Sequence, residues 1–473
     1  MTSSSPIRND VARRRVLSLG AVAATLVATA SGLLSALWKS LCTGPTFGAG
    51  GATELEFSRY GTLLCYSDQR ALWAARNLGA HVFPYQGTFT PDGGLTGGVV
   101  EYPTLSGLFL WAVGLPASTD RGFVLSAGVT LAVAAGIIAF LLHRLSGHRV
   151  WLWSFAPAVL VYSAYNVDML PSLATVVAIA IVLWPGSRIA PVVRAYLGAI
   201  ALGVGAGLKL YPLMFALPLA LWLGFALHAE GRLRARWWHS IGVLATAGGV
   251  LLLANLPFAI WQTEGWLASF QFQSARRLDD NTMAIWWWVP HLLGFDVADR
   301  TSTTTTIAAV ATAIGLAAAV TLGWRSARRF GVFPWLQVSG AMLAAYMLLN
   351  KVNSPQYILW LIPFFVLLRV PVRWVLVYFA ADLALFFGYF RRLALMPDSS
   401  QWIGLETLLG IGVLLRAGML AYFFFAFLRA DVSVGRKTLM SGSTSTSTSE
   451  KPVFRRAYRR MLGERSSTTI ASG

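Results

Sequence analysis

Charge is scarce in this sequence. Only 12% of its 473 residues are Asp, Glu, Lys or Arg, while 56% are apolar and the mean hydropathy is +0.60. Soluble domains carry about a quarter charged residues, so the shortage excludes an ordinary soluble enzyme and points to a polytopic membrane protein. Acidic residues are the scarcer sign, with 20 Asp and Glu against 38 Lys and Arg and a net charge of +18. That excess is no nucleic-acid footprint, because the basic residues lie in short clusters between apolar runs rather than interleaved with aromatics. Nucleic acid is therefore not an expected partner. Lysine is rare even among the cations (Lys39, Lys209, Lys351, Lys437 and Lys451), which with abundant Ala and Gly hints at a GC-rich bacterial genome. The chain has no P-loop and no dinucleotide fingerprint, so no nucleotide and no cofactor is expected. Six histidines show no ligand spacing, with His143 and His148 at one turn and His81 and His291 isolated, and no metal is expected either.

What the sequence does have is long apolar runs. About twelve approach the length that crosses a bilayer: 16–38, 122–143, 150–165, 169–184, 195–208, 213–228, 241–261, 306–324, 332–349, 358–368, 374–390 and 403–428. Basic residues orient them. Arg13 to Arg15, the turns HRLSGHR, EGRLRARWWH and WRSARR, Arg188 with Arg194, Arg369 with Arg373, and the tail after Arg429 all fall on one side when the spans alternate. That side holds about two thirds of the basic residues and is read as the cytoplasm, with both termini in it. Residues 1–15 are then a cytoplasmic N-terminus, 16–428 the membrane domain, and 429–473 a basic, disordered cytoplasmic tail, whose KPVFRRAYRRMLGER end reads as an ordinary positive-inside tail or, alternatively, a short amphipathic helix on anionic lipid. The opening RRRVLSLGAVAATLVATASG also has the features of an export signal, but the apolar run continues to Trp38, which favours an uncleaved first span.

Polar residues gather on the opposite face. Residues 39–121 form one long exported loop, too long for a simple connector, whose EYPTLSGLFLWAVGLP segment is read as a re-entrant or interfacial helix because a full span there would invert every later loop. Cys42 and Cys65, the only cysteines, lie in this loop; a disulfide is chemically permitted there, and two free thiols at the membrane surface are the alternative. AYNVDMLP (164–171), GLKLYP (207–212), SARRLDDNTMAIWWW (274–288), NKVNSPQY (350–357) and FRRLALMPDSSQW (390–402) come out on the same face. A transporter would instead place ionisable groups near the midplane with access from both sides. One-sided polarity points to a site working at the outer membrane surface.

The exported cations Lys209, Arg276, Arg277, Lys351, Arg391 and Arg392 suit a phosphate whose lipid tail stays in the bilayer. Carboxylates are few: Asp68, Glu101, Asp168, Asp279 and Asp280. One carboxylate is the minimum for general-base transfer away from an anionic leaving group. Simpler roles compete at several positions. Asn166 and Asp168 could cap the helix starting near Met169, Trp286 to Trp288 could be an interfacial belt rather than a sugar platform, and Lys351 could snorkel without a ligand.

CYSDQRALWAARNLGAHVFPYQG, VVEYPTLSG, YNVDMLP, GLKLYPL and NKVNSPQYILWLIP, in that order, resemble glycosyltransferase family 87 of the GT-C superfamily, over residues 16–428. The resemblance implies an all-α GT-C-like bundle in the bacterial cytoplasmic membrane. It also implies a polyprenyl-phosphate-linked sugar donor, typically mannose, and inverting transfer to a glycolipid or glycan acceptor outside. The family's aspartate base in the first exported loop matches Asp68 in YSDQ. Lys209, Lys351, Arg276 and Arg277 are expected to hold the donor phosphate. Glu101, Tyr102, Asn166, Asp168, Tyr211, Gln356 and Tyr357 are expected around sugar and acceptor. A glycine-rich TPDGGLTGG segment precedes EYP and leaves the acceptor geometry open. Two other functions stay open: an arabinofuranosyltransferase using polyprenyl-phosphate arabinose, and a lipid-phosphate transporter or flippase.

Overall fold

The computed structural model describes residues 6–54, 58–295, 297, 300–395 and 399–433, with side chains described from Leu19 onward. The SGSTSTSTSE stretch and the KPVFRRAYRRMLGER end of the expected tail lie outside the described residues. Those residues form helices and loops, with three isolated β-bridges and no sheet among them. Helix α1 (Pro6–Lys39) leads into the long loop, which carries α2 (Ser58–Leu63), α3 (Asp68–Ala75) and α4 (Thr104–Gly114). Then come α5 (Asp120–Ser146), the short α6 (Trp151–Ser154) and α7 (Pro157–Tyr162), α8 (Met169–Leu183), α9 (Pro191–Leu208), α10 (Ala216–Ala229), α11 (Leu233–Trp261) and α12 (Thr263–Ala275). The chain continues through α13 (Ile285–Leu292), α14 (Thr301–Phe330), α15 (Trp335–Leu349), α16 (Ile358–Leu367), α17 (Val372–Arg392) and α18 (Ser400–Arg429).

The protein is an all-α polytopic membrane protein, with eight helical segments among the described residues long and apolar enough to cross a bilayer. They coincide with eight of the twelve expected runs. The other four correct the expectation of uniform spans. Run 150–165 is split at Phe155-Ala156-Pro157 into α6 and α7, and the remaining three become α8, α15 and α16, of 15, 15 and 10 residues. At 1.5 Å per residue, ten residues reach only about 15 Å. Such short helices are tolerated because neighbours surround them: every residue of α16 is buried, as is nearly all of α15. Their polar ends then face protein rather than lipid. Helix α4, with 11 residues, is likewise too short to cross; its Ser106 hydroxyl donates to Leu208 O at 2.7 Å and its Thr104 hydroxyl to Ala254 O at 3.1 Å, so it docks on the ends of α9 and α11.

Small residues set the helix contacts, as expected where lipid offers no hydrophobic drive between helices. Helices α1 and α5 pack antiparallel so closely that a Cβ on Gly32 would sit 2.6 Å from Ala132 Cα, and α17 and α18 do the same where Gly412 meets Leu385 N at 2.6 Å. The long loop is fastened at several points. Cys42 and Cys65 form a disulfide, with Cα atoms 5.5 Å apart. Buried Asp120 accepts from Arg70 Nε at 3.2 Å, from Thr53 N at 2.9 Å and from Thr53 Oγ1 at 2.7 Å, tying the loop to the start of α5. Arg391 donates to Gly61 O at 3.1 Å, which commits that cation to holding α2.

Candidate active site

Asp68 is the first residue of α3, and three segments lock it in place. Ser67 does not cap α3 with its side chain. Its hydroxyl instead donates to Ala164 O and Tyr165 O (2.9 and 3.1 Å), while Asp68 N–H donates to Tyr165 O at 3.0 Å. Ala164 N–H in turn donates to Ser35 Oγ of α1 at 3.1 Å. The YSDQ and AYNVD stretches, almost a hundred residues apart, therefore meet backbone to side chain. Asn166, 1% exposed, uses its one amide nitrogen twice, donating to Asp68 Oδ2 at 2.7 Å and to the Tyr102 hydroxyl at 2.8 Å.

Asp168 is fully buried two residues further on and is fully engaged. Lys209 Nζ donates to both its oxygens (2.8 and 3.0 Å), and Trp360 Nε1 donates to Oδ1 at 2.9 Å. Asp168 occupies the N-cap position of α8, but its side chain makes no capping hydrogen bond and is spent on Lys209 and Trp360 instead. Trp360 is stacked between Tyr211 and Tyr357, at centroid distances of 4.1 and 3.8 Å. The Lys209 ammonium lies 5.1 Å from the Tyr102 ring, 5.4 Å from Tyr357 and 5.5 Å from Trp360. Aromatic faces and a carboxylate thus stand in for water around a buried ammonium.

The two aspartates have different electrostatic fates. Burial pushes the Asp68 carboxyl up from 3.8 to about 6; the Asn166 hydrogen bond opposes this, Glu101 adds to it, and Lys209 and Tyr66 oppose it. Arg76 pairs with Glu101 at 3.2 Å, and Gln273 Nε2 donates to Glu101 O at 2.8 Å, bringing α12 to the same place. Lys351 Nζ donates to Gln273 O (3.4 Å) and Arg276 O (3.3 Å), the last carbonyls around the end of α12, and burial followed by the neighbouring Arg276 charge lowers its pKa. Arg277 is exposed on the next residue. Gln356 is buried with its side-chain oxygen unpartnered, and Tyr357 follows it into the stack. The expected residues thus cluster around Asp68 and Asp168, with Arg277 at the outer edge.

Sequence reasoning missed three contributors. Lys39, with 0% exposure at the end of α1, donates to Leu64 O at 3.3 Å, lies 4.6 Å from the Trp38 ring, and is close enough for Asp68 to act on it electrostatically. Trp360 was hidden inside an apolar run. Arg76 carried no signal apart from sharing the loop with Glu101. Trp288 packs into a buried cluster with Met283, Leu385 and Leu409, whereas Trp286 and Trp287 stay half-buried, Trp286 donating to Leu349 O at 2.7 Å.

A carboxyl with a raised pKa, an ion-paired carboxylate, cations and stacked rings gathered in one polar cluster of a helical membrane protein mark a candidate site for acid-base chemistry. Residues 163–385, a little under half of the chain, match the family model described as Mannosyltransferase (PIG-M). No curated protein matches the chain. The family match and the eight apolar segments support a membrane glycosyltransferase of mannosyltransferase type, acting between a sugar donor and an acceptor in a lipid environment.

Proposed function

We propose that the protein moves mannose from a polyprenyl-phosphate-linked donor to a glycolipid or glycan acceptor on the exported face of a bacterial cytoplasmic membrane, with inversion at the anomeric carbon, as glycosyltransferase family 87 does. One observation carries the reading: two aspartates share one pocket, one neutralised by Lys209 and the other held by Asn166 with its pKa raised towards neutrality. The ion pair occupies both oxygens of Asp168, whereas Asp68 accepts a neutral amide hydrogen bond and stays available to take a proton. Asp68 is the base. Its carboxylate takes the acceptor hydroxyl proton as that oxygen bonds to the anomeric carbon, and the bond from that carbon to the phosphate oxygen breaks with its electron pair leaving on polyprenyl phosphate. Lys351, Arg276 and Arg277 receive the phosphate charge, while Lys209 adds positive field from within its pair. Gln356, Tyr357 and Tyr211 line the sugar, and the free oxygen of Gln356 is an acceptor for a sugar hydroxyl. Glu101 and Tyr102 stand at the acceptor side.

The test is transfer of radiolabelled mannose from polyprenyl-phosphate mannose to membrane acceptors by the purified protein. Labelled product from the wild type supports the reading. Failure with mannose but success with polyprenyl-phosphate arabinose would replace the sugar, and movement of lipid phosphate across vesicles without transfer would replace the enzyme by a transporter.

A further inference from the structure

The glycine-rich TPDGGLTGG segment has no part in the chemistry above, yet it is folded. It makes a small hairpin, with Thr96 N–H donating to Thr88 O at 3.1 Å, Thr90 N–H to Gly94 O at 3.0 Å, and Gly93 in the left-handed region (φ 87°) at its tip. The hairpin's base lies against α12, an approach that needs Gly265, because a Cβ there would fall 1.9 Å from Tyr85 O. Between the two runs a cleft of about 550 Å³, lined by Thr88, Phe89, Glu264, Leu267, Gln271 and Ser274. Small-ligand sites span roughly 300–1,000 Å³.

The lining selects a ligand class. It has no Lys or Arg and one carboxylate, so it disfavours phosphate and other anions. Two hydroxyls, an amide and a carboxylate offer both donors and acceptors beside the Phe89 ring and Leu267, which suits a neutral polyhydroxylated molecule with apolar C–H faces. The cleft is also fixed to the reaction site. On the other side of α12, Ser269 Oγ donates to Val100 O (2.7 Å) and Gln273 to Glu101 O, next to Tyr102, which shares Asn166 with Asp68. Ser274 lies two residues before Arg276, whose carbonyl receives Lys351.

We infer that the cleft between the glycine-rich hairpin and α12 is an acceptor subsite that holds the sugar units of an oligosaccharide beyond the one being glycosylated. This rests on the glycosyltransferase reading for its place in the reaction, though not for the binding itself. The test uses full-length protein in detergent with mannotetraose as probe, binding followed by saturation-transfer NMR, and compares wild type with Glu264→Ala/Gln271→Ala and with the cleft-filling Ser274→Trp, all three checked for equal melting temperature. The double variant is expected to weaken binding about tenfold, from two lost hydrogen bonds, and the filled variant to abolish it. In transfer assays both should raise KM for octyl mannotrioside with KM for donor, and turnover of octyl mannoside, unchanged. Absence of wild-type binding, or equal binding by all three proteins, overturns the subsite. Binding that follows the prediction while the wild type transfers no sugar upholds the subsite and overturns the proposed reaction instead.

Discussion

Replacing Asp68 with Asn should separate catalysis from stability in opposite directions. A carboxyl moved from 3.8 to about 6 by burial costs roughly 3 kcal/mol more to ionise in the folded protein than in water. Because solvent reaches part of the Asp68 side chain, that figure is an upper bound. The folded state binds this proton more tightly than the unfolded chain, so its contribution to stability is fully present below about pH 3.8 and is lost as the pH rises through about 6. Asn keeps a side-chain oxygen for Asn166 to donate to but cannot ionise. Asp68→Asn is therefore expected to melt a few degrees above wild type in detergent at pH 7.5, with the difference vanishing towards pH 4. Over the same comparison, transfer should fall by about 10² to 10⁴, the usual worth of a positioned base, with donor affinity retained. Transfer within a few-fold of wild type would remove Asp68 from the chemistry. Equal melting temperatures at pH 7.5 would mean that the carboxylate is already compensated, and the assignment of a tuned base would fail.

Asn166→Ala removes the hydrogen bond that holds the Asp68 pKa down, so the acid limb of the kcat/KM profile should move to higher pH; an unmoved limb would disconnect Asn166 from the base. Asp168→Asn leaves a buried ammonium unpaired and should cost about 3–5 kcal/mol, read as lost expression or a lower melting temperature, with Asp168→Asn/Lys209→Met recovering part of it. Lys351→Ala should raise the donor KM about tenfold with little change in melting temperature; unchanged donor KM and turnover would leave Lys351 as no more than a clamp on α12. Cys42→Ser/Cys65→Ser opens the loop closed just before Asp68 and should destabilise the protein by about 2–4 kcal/mol, measured by thermal melting against the oxidised wild type.

Helical class was legible because twelve apolar runs can be read by length alone, but their fate was not. Whether a run of 10 to 15 residues crosses the bilayer or stops short depends on what surrounds it, and the enclosure of α16 by other helices leaves no trace in its own composition. Asp68, Asn166, Asp168 and Lys209 could each be singled out as polar residues at the ends of runs. Their pairing could not, since Lys209 could serve a ligand or Asp168 equally well until the chain between them, a separation of 41 positions, is folded. Lys39 was overlooked for a related reason. At the end of an apolar run a lysine resembles a snorkelling anchor, and only the packing of Trp38, Tyr165 and Phe386 around its ammonium shows that it is sealed inside.

The charges of the pocket divide once the internal pairs are struck out. Asp168 is matched by Lys209 and Glu101 by Arg76, and Asp280 is matched by Arg392. Among the described residues, Arg276 and Lys351 have no carboxylate partner, and they sit together at the end of α12. Asp68 is held by Asn166, which also donates to Tyr102. Lys39 adds a cation beside Asp68, so positive charge stands both near the ionisable carboxyl and at the end of α12. Displacement at a sugar carbon develops negative charge on the departing phosphate while releasing a proton from the attacking hydroxyl, and preorganised charge is effective only when aimed where each appears. In the proposed reaction the two demands fall to different groups: Arg276 and Lys351 would meet the phosphate charge and Asp68 the proton.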